Sequence, residues 1–155
     1  MTTVYLTSGD RVLLLYRVGS RIIEPSWTGS AGGHMEADEM NDPDKGVLRE
    51  LFEETGLTEN DIQNLSLRYV TQRLKKGEIR QNHYYFAELK DANREITSNE
   101  GTLKWFTLDE MRTLNMPHSA LYMIRHYLET GRFNTSLYAG TSVADGCVFT
   151  ELTDF

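Results

Sequence analysis

From Asp42 to Gly56 the chain spells out a helix together with both of its ends. An Asp42 side-chain oxygen can cap the first free N–H groups, and Pro43 suits the first helical position, where its missing N–H is not needed. Gly56 can take the left-handed turn that closes the last carbonyls. The helix is therefore predicted to run about three to four turns. At roughly 100° per residue, Val47, Leu48, Leu51 and Phe52 gather on one side, and Arg49, Glu50, Glu53 and Glu54 on the other.

That polar side is strained by its own charge. Glu50 lies one turn from both Glu53 and Glu54, and like charges at such spacings each cost about 0.2–0.5 kcal/mol even when solvated. Arg49 can pair with Glu53 four residues on, which leaves two carboxylates unbalanced. A solvated helix face is the ordinary meaning of such a run. The other meaning is a site for hard divalent cations, which need oxygen ligands converging from one face together with open water positions. Gly32-Gly33, just ahead of the helix, favours the second meaning. Neither residue has a side chain, so backbone or ligand can approach closely, and a carbonyl there could join the ligand set.

Gly33, Glu39 and the run Arg49-Glu50-Leu51-Phe52-Glu53-Glu54-Thr55-Gly56-Leu57 resemble the Nudix box, G-x5-E-x7-R-E-U-x-E-E-x-G-U, where U is a bulky apolar residue. The match is complete from Arg49 to Leu57, and Gly33 to Glu39 has the family spacing. One interval differs: nine residues separate Glu39 from Arg49 where the pattern has seven. The two extra residues read as a longer loop around 41–44, which keeps the helix in register and bears on the pairing of Glu39 with Arg49 that the motif implies. Ala31 stands where a proline often precedes the glycines, and Asp38 where a glycine is common.

The rest of the chain reads as alternating structure around this box. Residues 3–7 and 11–17 are β-rich and joined by a turn at Ser8-Gly9-Asp10, and Val12-Leu13-Leu14-Leu15 suits a strand covered on both faces. A sheet between helices follows. Arg17 and Arg21 lead by a loop toward Trp27. Residues 65–74 and 79–89 form a long β-hairpin rich in Arg68, Arg73, Lys75, Lys76 and Arg80, read first as a solvated edge. Residues 107–114 are a short helix with a Thr107/Glu110 capping box. Residues 117–130 are a second helix, whose stripe is Ala120, Ile124, Tyr127 and Leu128. The tail, 133–155, falls outside the resemblance and holds two short strands, 137–139 and 147–152, a hairpin that would cover the site or join a dimer.

Charge and composition exclude several classes. The net charge of −7 concentrates in residues 36–61, where ten acids face two bases, leaving the remainder at +1. A nucleic-acid polymer would call for a basic stripe instead. A phosphorylated small molecule remains compatible where bound cations reverse the local sign. No apolar run is long enough for a membrane span, no secretory leader is visible, and the lone Cys147 has no internal partner, which together favour the cytosol. His34, His83, His118 and His126 show no zinc spacing with Cys147.

The resemblance, over about residues 3–130, implies one domain spanning 1–155 with an α/β/α sandwich around a mixed β-sheet. It implies hydrolysis of a pyrophosphate bond in a nucleoside diphosphate linked to another group, with Mg²⁺ or Mn²⁺ held by Glu50, Glu53 and Glu54, the Gly33 carbonyl, and Glu100 from the loop before the Trp105 strand. Arg49 would hold the carboxylates. Glu53 or Glu54 is the first choice of general base and Glu100 the second. Arg17 and His34 are candidate phosphate contacts, and Asn115 lies where some relatives read the purine edge. The leading substrate is an oxidised nucleoside triphosphate such as 8-oxo-dGTP, as in the MutT-like group. ADP-ribose or a nucleotide sugar is the alternative, and a nucleotide-binding module without catalysis the alternative of another class. A monomer or homodimer is expected.

Overall fold

A computed structural model describes residues 1–17 and 25–154 of the chain, so Arg21 lies outside the described residues. The two N-terminal strands, β1 (Thr2–Ser8) and β2 (Arg11–Arg17), form the expected hairpin, with Gly9 at φ 60° in the turn. Val12, Leu13, Leu14 and Leu15 are 0, 3, 0 and 1% exposed, as a strand covered on both faces requires. Arg17 ends β2 instead of lying in a loop. Two three-residue strands follow, β3 (Ser26–Thr28) and β4 (Ala31–Gly33), neither of which has a periodicity long enough to be read from sequence.

After helix α1 (Pro43–Thr55) come β5 (Ile62–Lys75), β6 (Glu78–Leu89) and β7 (Gly101–Thr107), then helix α2 (His118–Glu129) and the strands β8 (Leu137–Val143) and β9 (Gly146–Leu152). The 107–114 segment is a 3₁₀ turn at Asp109–Thr113, not an α-helix, although the expected reciprocal bonds form. The Thr107 N–H donates to Glu110 Oε2 at 2.7 Å and the Glu110 N–H to Thr107 Oγ1 at 3.3 Å.

The strands run in the order β3-β2-β1-β6-β5-β8-β9, with β4 on β1 and β7 on β2. Pairs β1·β6 and β5·β8 are parallel and the others antiparallel, so the sheet is mixed. Alternation along the strands sends Val4, Leu6, Leu13, Tyr85 and Ala87 to the face covered by Val47 and Leu51 of α1. Tyr5, Val12, Leu14, Tyr84 and Phe86 go to the face covered by Ala120, Met123, Ile124 and Leu128 of α2. This is the α/β/α sandwich expected from the box. Among the described residues no helix is long and apolar enough to cross a membrane.

One strand edge is shared, and this locates the glycines. Opposite β6, the second half of β1 pairs with β2 (Leu6↔Leu13), while its first half pairs with β4 (Thr2↔Gly33, Thr3↔Gly32). The tail hairpin belongs to the same sheet: β8 pairs with β5, and β9 with β8. Arg68, read from sequence as part of a solvated basic edge, is 8% exposed. A register shift between Leu67 and Tyr69 breaks the hairpin's alternation there. Its guanidinium donates to the carbonyls of Ser136, Gly131 and Asn134 at 3.0, 2.7 and 2.8 Å, fastening the chain that enters β8.

Candidate active site

Helix α1 ends as its sequence says, with Asp42 Oδ1 accepting from the Lys45 N–H at 3.2 Å. Gly56, at φ 72°, donates its N–H to the Phe52 carbonyl at 2.8 Å. Its orientation is less expected. Glu50 and Glu54 are buried with Val47 and Leu51, whereas Phe52 is 58% exposed. The buried arc is turned from the apolar stripe toward the acids, because the surface they meet is β4, whose glycines leave space for carboxylates. A Cβ on Gly33 would lie 2.4 Å from Glu50 Oε1 and 2.6 Å from its Cδ.

Arg49 organises one half of the site. Its Nε and Nη2 take the two oxygens of Glu39 at 2.7 and 2.9 Å, its Nη1 reaches Glu50 Oε1 at 3.0 Å and Glu53 Oε2 at 2.9 Å, and Nη2 also donates to the His34 carbonyl at 3.0 Å. The two extra residues before the helix therefore leave the Glu39–Arg49 pair intact. They are accommodated by a 3₁₀ turn at Ala37–Glu39 and the turn that follows it, whose Asp42 N–H returns to the Glu39 carbonyl at 2.9 Å. Glu39 is 1% exposed, and its carboxyl is pushed down to about 2, first by the Arg49 hydrogen bonds and then by the Glu36 N–H. Gly46 makes room for it, since a Cβ there would stand 3.1 Å from Glu39 Oε2. Sequence reading passed over Gly46, although a glycine inside a helical pattern is itself a packing signal.

Arg17 organises the other half. Its Nη2 lies 2.9 Å from Glu54 Oε1, 3.4 Å from the Gly32 carbonyl and 3.7 Å from Glu100 Oε2. The second Glu54 oxygen accepts from the Gly32 N–H at 3.1 Å. Burial nevertheless pushes the Glu54 carboxyl up to about 7 against these two contacts. Glu100 and Glu53 are about half exposed. Glu100 is brought in by its neighbour Asn99, whose side-chain amide donates to the Glu53 carbonyl at 3.0 Å and whose backbone N–H donates to the Glu54 carbonyl at 3.2 Å. Asn99 was not singled out from sequence; an Asn facing the free carbonyls of a helix end is the signal that could have found it.

Glu50 and Glu54 thus pack on Gly32-Gly33 with Glu53 and Glu100 beside them, and among the described residues it is the Arg49 and Arg17 guanidiniums that pair with the four. Among the described residues no three carboxylates or imidazoles converge as a ready-made cation site. The donor set still fits a hard divalent ion, being all oxygen, with the half-exposed Glu53 and Glu100 open to water and a Glu54 carboxyl whose charged form burial disfavours. Two of the predicted residues stand aside from the cluster. The His34 ring is exposed at its rim. Asn115 donates its amide to the Pro25 carbonyl at 3.2 Å and accepts the Trp27 N–H on its own carbonyl at 2.9 Å, so it fastens the segment leading into β3. Arg17 also borders a cleft on the α2 face of the sheet, lined by Tyr5, Tyr84, Asn82 and Arg73.

A protein-family model described as the NUDIX domain matches residues 2–127. Among solved structures, the mutator MutT protein from Bacillus halodurans is similar at 26% identity and a TM-score of 0.63, covering 98% of this chain and 93% of that one. That coverage extends the likeness into the tail hairpin. A C. elegans Ap4A hydrolase, in a binary complex, matches at 18% identity and a TM-score of 0.62, over 86% of this chain and 96% of that one. The NUDIX domain of Shewanella oneidensis NrtR, complexed with ADP ribose, matches at 16% and 0.60 over 86% and 85%. No curated protein sequence matches.

Proposed function

The chain belongs to the Nudix family of hydrolases acting on acid anhydrides, and from that membership we propose that it cleaves a pyrophosphate bond in a nucleotide. A nucleoside triphosphate such as 8-oxo-dGTP is the first substrate class, because the MutT protein covers nearly the whole chain. The Ap4A hydrolase and the ADP-ribose complex share the fold at lower identity. One observation carries the reading: Arg17 touches the Glu54/Glu100 acids and borders the cleft, so a diphosphate placed beside it has the carboxylates at one end and space for a nucleoside at the other.

Mg²⁺ or Mn²⁺, held by Glu50, Glu53, Glu54, Glu100 and the Gly33 carbonyl, would neutralise the pyrophosphate charge and lower the pKa of the attacking water. Arg49 keeps Glu50 and Glu53 in register by anchoring both to Glu39. Arg17 exchanges its carboxylates for a phosphate oxygen of the substrate, and His34 approaches a phosphate from the rim. The first candidates for the water proton are Glu53, which has one oxygen on Arg49 and no partner for the other among the described residues, and Glu54, whose Oε1 the departing Arg17 releases. Glu100, half exposed and held among the described residues by one long ion pair, is the second base. Asn115 serves the substrate indirectly, through the segment it fastens.

The test is turnover of 8-oxo-dGTP by Glu53→Gln and by the parent in excess chelator. Losing a general base typically lowers the rate by about 10²–10⁴-fold, with an unchanged melting temperature here because the amide keeps the volume. Near-parental turnover in Glu53→Gln would remove Glu53 from the mechanism, and activity persisting in chelator would remove the metal.

A further inference from the structure

The cleft beside Arg17 has a one-sided chemistry. Arg17, Arg73, Asn82, Tyr5 and Tyr84 border it, and no Asp or Glu among the described residues does. Tyr5 is 0% exposed, yet its hydroxyl has no hydrogen-bond partner among the described residues, and neither has Arg73 Nε. The first turn of α2 adds to this excess of donors. Its cap residue is Pro117, no side chain caps it, and Ser119 and Ala120 line the cleft, so free backbone N–H groups lie alongside. Burial pushes the Tyr5 phenol well above its ordinary value, which keeps the proton on and the hydroxyl a donor.

A buried donor without an acceptor is costly, and a ligand that brings the acceptor recovers that cost. Ala31, Ala120 and the Tyr84 ring border the same cleft, which suits a flat group with an apolar face. We propose that the cleft reads the edge of the substrate's nucleobase and selects a keto oxygen over an amino group, with Arg73 as the specificity-determining donor and the Tyr5 hydroxyl as a second hydrogen-bond partner for the same edge. This rests on the nucleotide reading above. A keto oxygen accepts from both groups, whereas an amino group in the same place can donate to the Tyr5 oxygen but sets its N–H against that of Arg73, which is donor only, and leaves the guanidinium unpaired. Asn82, whose amide can accept as well as donate, suits the ring N–H that neighbours a keto group.

Inosine and adenosine monophosphates provide the test, since they differ only in the keto or amino group at purine position 6 and the ring proton beside it. Neither carries a pyrophosphate bond, so calorimetric binding to the intact protein reads the cleft without turnover. The parent should bind IMP more tightly than AMP by about tenfold or more. Arg73→Met should shrink the IMP/AMP ratio by roughly 3–10-fold, the usual worth of one such hydrogen bond. Tyr5→Phe should weaken both nucleotides and leave their ratio in place. Tyr5→Phe preserves volume and deletes an unpartnered hydroxyl, so it should melt no lower than the parent, which separates loss of binding from loss of fold. AMP bound as tightly as IMP, or Arg73→Met weakening the two nucleotides alike, would overturn the proposal. If no triphosphate is hydrolysed but the Arg73-dependent preference stands, the hydrolase reading fails and base selection by the cleft survives. If ITP and ATP are hydrolysed equally well, base selection fails and the hydrolase reading survives.

Discussion

Replacing Gly33 with alanine should displace the Glu50 carboxylate without straining the backbone, because Gly33 does not occupy the left-handed region. The new Cβ would sit 2.4 Å from Glu50 Oε1, and ordinary contact begins near 3.4 Å, so the carboxylate must retreat by about 1 Å. It cannot do so freely, since Arg49 Nη1 holds the same oxygen at 3.0 Å and the residue is 9% exposed. Overpacking of this kind costs about 1–3 kcal/mol. In a domain of this size each kcal/mol lowers the melting temperature by roughly 2–4 °C. A misplacement of about 1 Å in a catalytic group can cost on the order of 10²-fold in rate. Melting and turnover should both be measured in a double-mutant cycle with Glu50→Ala, which removes the obstacle. On that background Gly33→Ala should cost almost nothing further. A single Gly33→Ala variant with parental melting and turnover would refute the close packing of Glu50 on β4 as the reason for the glycine.

Glu39→Gln should destabilise the protein in a pH-dependent way. The folded carboxyl sits at about 2, below its unfolded value of about 4.3, so its stabilisation is in place above the latter and lost as pH falls toward the former. The gap in melting temperature between parent and variant, present at pH 6, should narrow toward pH 2. His126 is shifted downward by burial, and its Nδ1 lies 2.9 Å from the Tyr69 hydroxyl. Its contribution is complete above the unfolded value of about 6.5 and falls away below it, so His126→Gln should flatten the loss of thermal stability between pH 7 and 5. Arg68→Met should cost about 2–4 kcal/mol by stranding three carbonyls, and amide exchange should show 137–152 losing protection first.

Most of the box was legible because its signals are local. Asp42, Pro43 and Gly56 act on the backbone next to them, and the spacing of Arg49, Glu50, Glu53 and Glu54 needs no knowledge of the sheet. Helix rotation was not legible, since periodicity says which residues share a face but not what that face meets. Phe52 was therefore placed with the apolar side, and nothing in the pattern said that Glu50 and Glu54 on the polar side would be buried. Arg68 was misread for a similar reason, as strand alternation cannot foresee a bulge. The pairing of Glu39 with Arg49 across the longer loop, and the anchoring of Glu100 through Asn99, depend on contacts that only the folded chain makes. The tail was unreadable as a sheet extension because its partner, β5, lies more than sixty residues earlier.

The central claim, a nucleotide pyrophosphohydrolase built on the Gly33–Leu57 box, is tested most directly by product release. Purified protein should be offered dGTP, 8-oxo-dGTP, ADP-ribose, a dinucleoside polyphosphate and a nucleotide sugar, with Mg²⁺ and with chelator. The account predicts Mg²⁺-dependent release of a nucleoside monophosphate and pyrophosphate, chiefly from the triphosphates. Folded protein that binds nucleotide yet releases no product from any of them would contradict it.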